Sequence, residues 1–290
     1  MNVCVSIVEK SVVRKNSQGP SLSAIIAKPD TKPRYALALV HGYADHAARY
    51  MHVIDELRMK GILTVALDLR GHGRSGGDPG YCNEFSEFWD DLRELGPLFD
   101  EHANGLPRVL FGHSFGGLAT ASSLLDDRAG APEQNWRAAI WSGPFFQLAL
   151  PVPPIKKMAG EFLARIIPKF AMASGLHGAD LTHDAAIARA YDEDPLVFKK
   201  ASARWFTQAA KTQELLYREA HRIKLPFFIG FGGADKVASA EGAQKFVAAA
   251  GSATKELKVY DGLYHEILNE PSWRDILNDM VRFADRYAAT

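Results

Sequence analysis

Gly112-His113-Ser114-Phe115-Gly116-Gly117 sets a serine between glycines, and an aspartate and a histidine follow it later in the chain in the order that serine chemistry uses. A serine hydroxyl is a weak nucleophile at neutral pH. It needs a base within hydrogen-bond reach, and that base needs an orienting acid. The apolar run Val109-Leu110-Phe111, introduced by Pro107, reads as a strand, and Leu118-Ala119-Thr120-Ala121 reads as a helix. Strand, sharp turn and helix are the context in which G-x-S-x-G has a mechanism: the turn strains the serine backbone, lifts Oγ clear of the sheet edge and leaves backbone N–H groups unused. Glycine is required at 112 and 116 because a Cβ there would strike the neighbouring strand and helix. The motif occurs often by chance, so its surroundings decide.

The order Ser, then Asp or Glu, then His is that of an α/β-hydrolase topology. Asp235 follows the run Phe227–Phe231 and the turn Gly232-Gly233-Ala234; His265 follows Leu257–Tyr260, in the loop Asp261-Gly262-Leu263-Tyr264-His265-Glu266. Both are expected at the sheet edge that carries Ser114. A loop aspartate is more often a turn former, and a lone histidine is more often a surface residue. Three residues in order, each after a strand, favour a triad. Asp261 is the rival acid, but it shares a loop with His265 and would have to fold back to reach Nδ1. The oxyanion needs backbone donors. The Phe115 N–H is one, and the Tyr43 N–H, in the loop His41-Gly42-Tyr43-Ala44-Asp45-His46, is the other. Arg70-Gly71-His72-Gly73-Arg74-Ser75-Gly76-Gly77 lacks phosphate-loop spacing and reads as a structural turn. His41, His46 and His52 lack metal-ligand spacing.

These residues must be held by elements. Apolar runs fall at Val3–Val13, Leu22–Ala27, Ala36–Val40, Leu63–Leu67, Val109–Phe111, Ala138–Trp141, Pro226–Phe231 and Leu257–Tyr260. From the third onward they are separated by helical patterns over Arg49–Lys60, Glu84–His102, Gly117–Asp127, Ala240–Ala250 and Ser272–Tyr287. Alternating strand and helix predicts a mostly parallel sheet covered on both faces. The first two runs, joined by Asn16-Ser17-Gln18-Gly19-Pro20, predict an antiparallel hairpin at one edge. Between Trp141 and Pro226 lie about eighty residues, too many for one crossover helix. Amphipathic patterns at Ile155–Ile167, stopped by Pro168, and at Lys199–Arg218 make this stretch a helical cap over the site. Its large apolar residues, from Phe145, Phe146, Leu148 and Leu150 to Met158, Phe162 and Ile167, are expected to line an acyl channel.

The chain has 290 residues, 47% of them hydrophobic, with 34 basic and 34 acidic side chains. That balance gives no electrostatic footprint for nucleic acid. Cys4 and Cys82 form no disulfide framework, no signal-peptide pattern occupies the first fifteen residues, and no run suits a spanning helix. A cytoplasmic protein is the expectation.

The chain resembles the monoacylglycerol lipases and their lysophospholipase-like relatives within the α/β-hydrolase superfamily, from about Tyr35 to Tyr287. The likeness rests on His41–Tyr50, Asp68-Leu69-Arg70-Gly71-His72-Gly73-Arg74-Ser75, Gly112–Gly117, Asp194-Pro195-Leu196, Gly233-Ala234-Asp235 and Tyr264-His265-Glu266. The resemblance implies a triad of Ser114, Asp235 and His265, an oxyanion hole from Tyr43 and Phe115, and a mobile lid over an acyl channel. It also implies that Asp45 and Arg49 shape the site near the oxyanion loop, and that Tyr191 lies near the alcohol pocket. The family pattern His-Gly-x-Gly-Glu-His departs here to Ala44 and Asp45. Tyr43 stands where a small residue is usual, and Phe115 where Met is usual.

The expectation is therefore an eight-stranded, mostly parallel α/β-hydrolase sheet with helices on both faces. Residues 1–144 and 218–290 form the core and 145–217 the cap. The reaction is hydrolysis of a single-chain lipid ester through an acyl-enzyme, with no metal or organic cofactor required. Lysophospholipase and short-chain carboxylesterase are the rivals, and a non-catalytic receptor is the alternative of another class. The partners expected are the lipid ester and, transiently, a membrane or micelle surface.

Overall fold

A computed structural model describes residues 7–12, 19–128, 135–150 and 153–288. The strands are β1 (Ile7–Val12), β2 (Leu22–Ala27), β3 (Tyr35–Val40), β4 (Ile62–Asp68), β5 (Arg108–His113), β6 (Trp136–Ser142), β7 (Ala171–Ala173), β8 (Lys200–Ser202), β9 (Phe227–Gly232) and β10 (Lys255–Tyr260). The helices are α1 (Met51–Met59), α2 (Ser86–Arg93), α3 (Leu95–His102), α4 (Phe115–Ser123), α5 (Pro154–Ile166), α6 (Ala185–Glu193), α7 (Ala203–Glu219), α8 (Ala240–Ala249) and α9 (Trp273–Ala288). Eight strands form one sheet in the order β1-β2-β4-β3-β5-β6-β9-β10; β7 and β8 pair separately. β2 runs antiparallel to both β1 and β4, and every pairing from β4 to β10 is parallel. The expected edge hairpin is therefore present, while most of its loop and Cys4 lie outside the described residues.

A parallel strand buried on both faces sends alternate side chains to two cores. In β3, Ala36, Ala38 and Val40 pack with α2, α3, α4, α7 and α8, whereas Tyr35, Leu37 and Leu39 pack with α1 and α9. The pattern expected over Glu84–His102 is two helices, not one. Pro97 has no N–H to donate and its ring collides with the carbonyl of Arg93, where α2 stops.

The segment between β6 and β9 carries α5, α6, α7 and the β7–β8 ribbon. α5 begins with Pro154 in its first turn and ends before Pro168. Ser202 starts α7 by accepting the Trp205 N–H, and Asp184 starts α6 by accepting the N–H groups of Ala186 and Ile187. The ribbon and α6 carry no long apolar pattern and were not expected from the sequence. Among the described residues no helix is long and apolar enough to cross a membrane.

Candidate active site

β5 ends at His113, and α4 starts at Phe115, so Ser114 alone turns the chain. Its φ is +50° and its ψ is −116°, a conformation a side chain rarely adopts. Three backbone bonds hold the strain: Ser114 N–H donates to Ser142 O at 2.9 Å, and Ser114 O accepts from Leu118 and Phe145 N–H. Tight packing explains the flanking glycines. A Cβ on Gly112 would lie 2.5 Å from Gly116 O, and one on Gly116 would lie 2.3 Å from His41 O. As the first residue of α4, Phe115 has no intrahelical acceptor for its N–H.

The loop after β3 lies directly on the serine: a Cβ on Gly42 would meet Ser114 Cβ at 3.3 Å. Ala44 in this loop has φ +54°, the left-handed region that favours the glycine of the family pattern. Tyr43 packs its ring 3.8 Å from Trp205 of α7, and its hydroxyl donates to Lys200 O of β8 at 2.7 Å. Gly42, Tyr43 and Phe115 all border the cavity that contains Ser114.

His265 and Asp235 come to Ser114 from the ends of β10 and β9. The Ser114 hydroxyl lies 2.8 Å from His265 Nε2, and His265 Nδ1 lies 2.7 Å from Asp235 Oδ2. The other Asp235 oxygen accepts the N–H groups of Val237 and Ala238, which fixes the carboxylate. Asp261 is exposed and the imidazole bond goes to Asp235 instead. Burial disfavours the imidazolium, but Asp235, then Glu266 and Asp45, outweigh it, and the pKa of His265 rises above 6.5. His113, buried beside it, is pushed the other way to about 4 by burial and by His265 itself.

Behind the histidine lies a charge cluster. Arg49 donates to both oxygens of Glu266 at 2.8 Å and to Asp45 Oδ1 at 2.9 Å. Tyr50 donates to the other Asp45 oxygen, and Asn269 donates to Glu266. Burial works against both carboxylates, yet Arg49 holds them below their ordinary values. Tyr191 of α6 covers the guanidinium at 4.7 Å. Asp45, Tyr191 and Glu266 reach the cavity wall, whereas Arg49 sits behind them. Glu266 was not expected to belong to the site. Its signals in the sequence were its neighbour His265 and its place in the segment Tyr264-His265-Glu266.

The cavity is about 140 Å³ and mostly apolar, with Phe145, Leu148, Leu176, Leu181, Trp205 and Val237 in its wall. Of the residues expected to line an acyl channel, Phe145 and Leu148 are in this wall. The apolar side chains of α5 are not: Ile155, Met158, Phe162 and Ile166 are between 64% and 77% exposed and line no part of this cavity. α7 and the segment around Leu176 take that place.

The remaining candidates are structural. The glycine-rich stretch folds around Asp68, whose carboxylate accepts the N–H groups of Ala47 and Arg74. His41, His46 and His52 bond Gly42 O, Asp194 and Leu268 O respectively, three separate places. Among the described residues no group of His, Cys, Asp or Glu is placed to share a metal ion.

Residues 31–272 match the family described as serine aminopeptidase, S33. The chain is 33% identical over 255 residues to a monoacylglycerol lipase of Mycolicibacterium smegmatis, covering 87% of this chain and 89% of that protein. It is 29% identical over 261 residues to the phospholipase YtpA of Bacillus subtilis, covering 88% and 97%. Its fold is that of a soluble variant of the monoglyceride lipase of Saccharomyces cerevisiae solved with a substrate analogue, with TM-score 0.84, 23% identity and coverage of 100% and 99%. With a family match over most of its length and a relative this similar, the chain belongs to the serine hydrolase family S33 and is a monoacylglycerol lipase-like α/β-hydrolase.

Proposed function

We propose that this protein hydrolyses the acyl ester of monoacylglycerol-like single-chain lipids, with Ser114 as nucleophile, His265 as general base and Asp235 as the acid that orients it. The observation that carries the reading is the pair of bonds at His265, 2.8 Å to Ser114 Oγ and 2.7 Å to Asp235 Oδ2, at the floor of an apolar cavity. In this reading His265 Nε2 takes the hydroxyl proton as Oγ attacks the ester carbonyl. The oxyanion forms against the N–H groups of Tyr43 and Phe115. His265 then gives the proton to the departing alcohol, and water releases the acid by the reverse steps. No step calls on a metal or organic cofactor.

Residues 145–217 act as the cap of a core made by 1–144 and 218–290. Asp45 and Arg49 shape the site through Glu266 and Tyr191 rather than by touching the acyl group. An aminopeptidase must hold a substrate ammonium, which calls for an unpaired carboxylate in the wall. Both cavity carboxylates here, Asp45 and Glu266, are ion-paired to Arg49, which favours an ester with a neutral alcohol. The outward apolar face of α5 is the surface by which the cap meets a membrane or micelle.

The test is the rate of hydrolysis across monoacylglycerols, with labelling by a fluorophosphonate. kcat/KM should rise from C4 to C8, because each buried methylene contributes about 0.8 kcal/mol. A monotonic fall would favour a short-chain carboxylesterase. Failure of the probe to label the protein would favour a receptor.

A further inference from the structure

Tyr43 and Phe115, two positions at which this chain departs from the family pattern, meet on one residue of α7. Their rings lie 6.0 Å apart, edge to face, and each packs on Trp205, Tyr43 at 3.8 Å and Phe115 at 5.2 Å. Phe198, between α6 and β8, adds a further ring. It stands edge-on to Tyr43 at 5.2 Å and lies 4.9 Å from the buried His72 of the glycine-rich stretch. The fit is close, since a Cβ on Gly80 would come within 3.3 Å of the Phe198 ring. Trp205 borders the Ser114 cavity, whereas Phe198 lines no part of it. Phe198 therefore reaches the site through Tyr43 rather than through a bound substrate.

The loop after β3 needs such support. Ala44 is held at φ +54°, a conformation that persists in a residue with a side chain only where its surroundings over-determine it. After Ala44, the core fixes the chain: the Asp45 carboxylate accepts the His46 N–H, Arg49 and the Tyr50 hydroxyl. Before Ala44, the support comes through the Tyr43 side chain. His72 and Phe115 flank its ring from the core. Trp205, Phe198 and the bond from its hydroxyl to Lys200 O come from the 145–217 segment. A backbone N–H can serve an oxyanion only if it points at one place, and a ring packed on its sides fixes the peptide it is attached to.

We propose that Phe198 is a positioning residue for the reaction: by packing on the Tyr43 ring it holds the Tyr43 N–H where the oxyanion forms. This rests on the ester hydrolase reading for its catalytic meaning, but the hold on the loop can be read without catalysis.

Two variants loosen the same ring. Phe198→Ala removes the packing, and Tyr43→Phe removes the hydroxyl tether and keeps the ring. Two ligands are compared in each. Octylboronic acid forms a tetrahedral adduct with Ser114 that sets an oxygen in the oxyanion position; 1-O-octylglycerol is an ether with no carbonyl. Loss of an oxyanion donor costs about 10²–10³ in kcat, so a displaced donor in Phe198→Ala should weaken the boronic acid by roughly tenfold or more relative to the ether. kcat for a C8 monoacylglycerol should fall by a similar factor, with KM within about twofold of wild type. Tyr43→Phe loses one hydrogen bond and should move the ligand ratio about fivefold. A lower melting temperature with both ligands weakened alike, or a ratio within about twofold of wild type in both variants, would overturn the proposal. Should wild type neither hydrolyse the ester nor prefer the boronic acid to the ether, the ester hydrolase reading fails. Amide exchange over residues 41–46 in Phe198→Ala then decides the positioning alone: acceleration of about fivefold or more supports it, and an unchanged rate overturns it.

Discussion

As the proposed general base, His265 should set the pH dependence of the site. Its pKa is raised above 6.5, chiefly because Asp235, Glu266 and Asp45 overcome the effect of burial. Only the neutral imidazole can accept the serine proton, so kcat/KM should fall on the acid side with an apparent pKa above 6.5. Glu266→Gln removes one of the charges that raise it and leaves Arg49 with a single carboxylate partner. Both changes disfavour the imidazolium, so the acid limb should move to lower pH. A pH–rate profile checks this, and a limb that stays in place or moves up would contradict it. The same sign governs stability: the bond from protonated His265 to Asp235 contributes fully below the unfolded pKa and is lost as pH rises through the higher folded value. At this scale much of the site was legible. Ser114, Asp235 and His265 each stand after an apolar run, and their order in the chain restricts their roles. Glu266 was not legible, because its partner Arg49 is far away in sequence, and only the parallel packing of β3 beside β5 and the return of β10's loop bring them together. Nor could sequence give the positive φ of Ala44, which depends on how the loop lies against Ser114.

Among the elements, the β7–β8 ribbon is held to the rest by few bonds. Ser202 N–H donates to Gly80 O at 3.1 Å, and Tyr43 OH donates to Lys200 O at 2.7 Å. The second links the proposed oxyanion loop to the proposed cap. Tyr43→Phe removes it while keeping the ring against Trp205. A hydrogen bond of this kind contributes about 1 kcal/mol, so amide exchange in the segments around Ala171–Ala173 and Lys200–Ser202 should accelerate about fivefold. Exchange unchanged from wild type would mean that the tether is not what holds the ribbon. The strands of the sheet were legible because parallel strands buried on both faces are continuous apolar runs. β2 matches its expected bounds; β3, β4, β5, β6 and β10 extend theirs by one or two residues at an end, as Arg108 and His113 do in β5; β9 runs one residue later than expected; and β1 is described over Ile7–Val12 of the run expected at Val3–Val13, the rest of which lies outside the described residues. The break between α2 and α3 required weighing Pro97 against a continuous amphipathic pattern. The ribbon and α6 stayed hidden because the strands of the ribbon are three residues long and α6, only nine residues long, buries Ala188 and Tyr191 alone.

At the scale of the whole molecule, the outward face of α5 departs from an ordinary protein surface. Ile155, Met158, Phe162 and Ile166 project from one side of it and are mostly exposed. The sequence showed this stripe clearly; what it did not show was the direction the stripe faces, since inward and outward packing require the same spacing. Burying such side chains in a bilayer surface is favourable by roughly 1.5–3 kcal/mol each when complete. Phe162→Glu with Ile166→Glu should therefore weaken binding to phosphatidylcholine vesicles by at least tenfold in a sedimentation assay, while turnover of a water-soluble short ester persists. Equal binding by wild type and variant would contradict a membrane-facing cap. The central claim is that one serine, activated by His265 and Asp235, carries the reaction, and the most direct measurement is the hydrolysis rate of a C8 monoacylglycerol by Ser114→Ala. The hydroxyl adds little to packing, so the variant should show wild-type circular dichroism and melting behaviour. Its kcat should drop by about 10⁶, the loss typical of a triad nucleophile. A folded Ser114→Ala protein that keeps hydrolysing the ester at a rate near that of wild type would contradict the account.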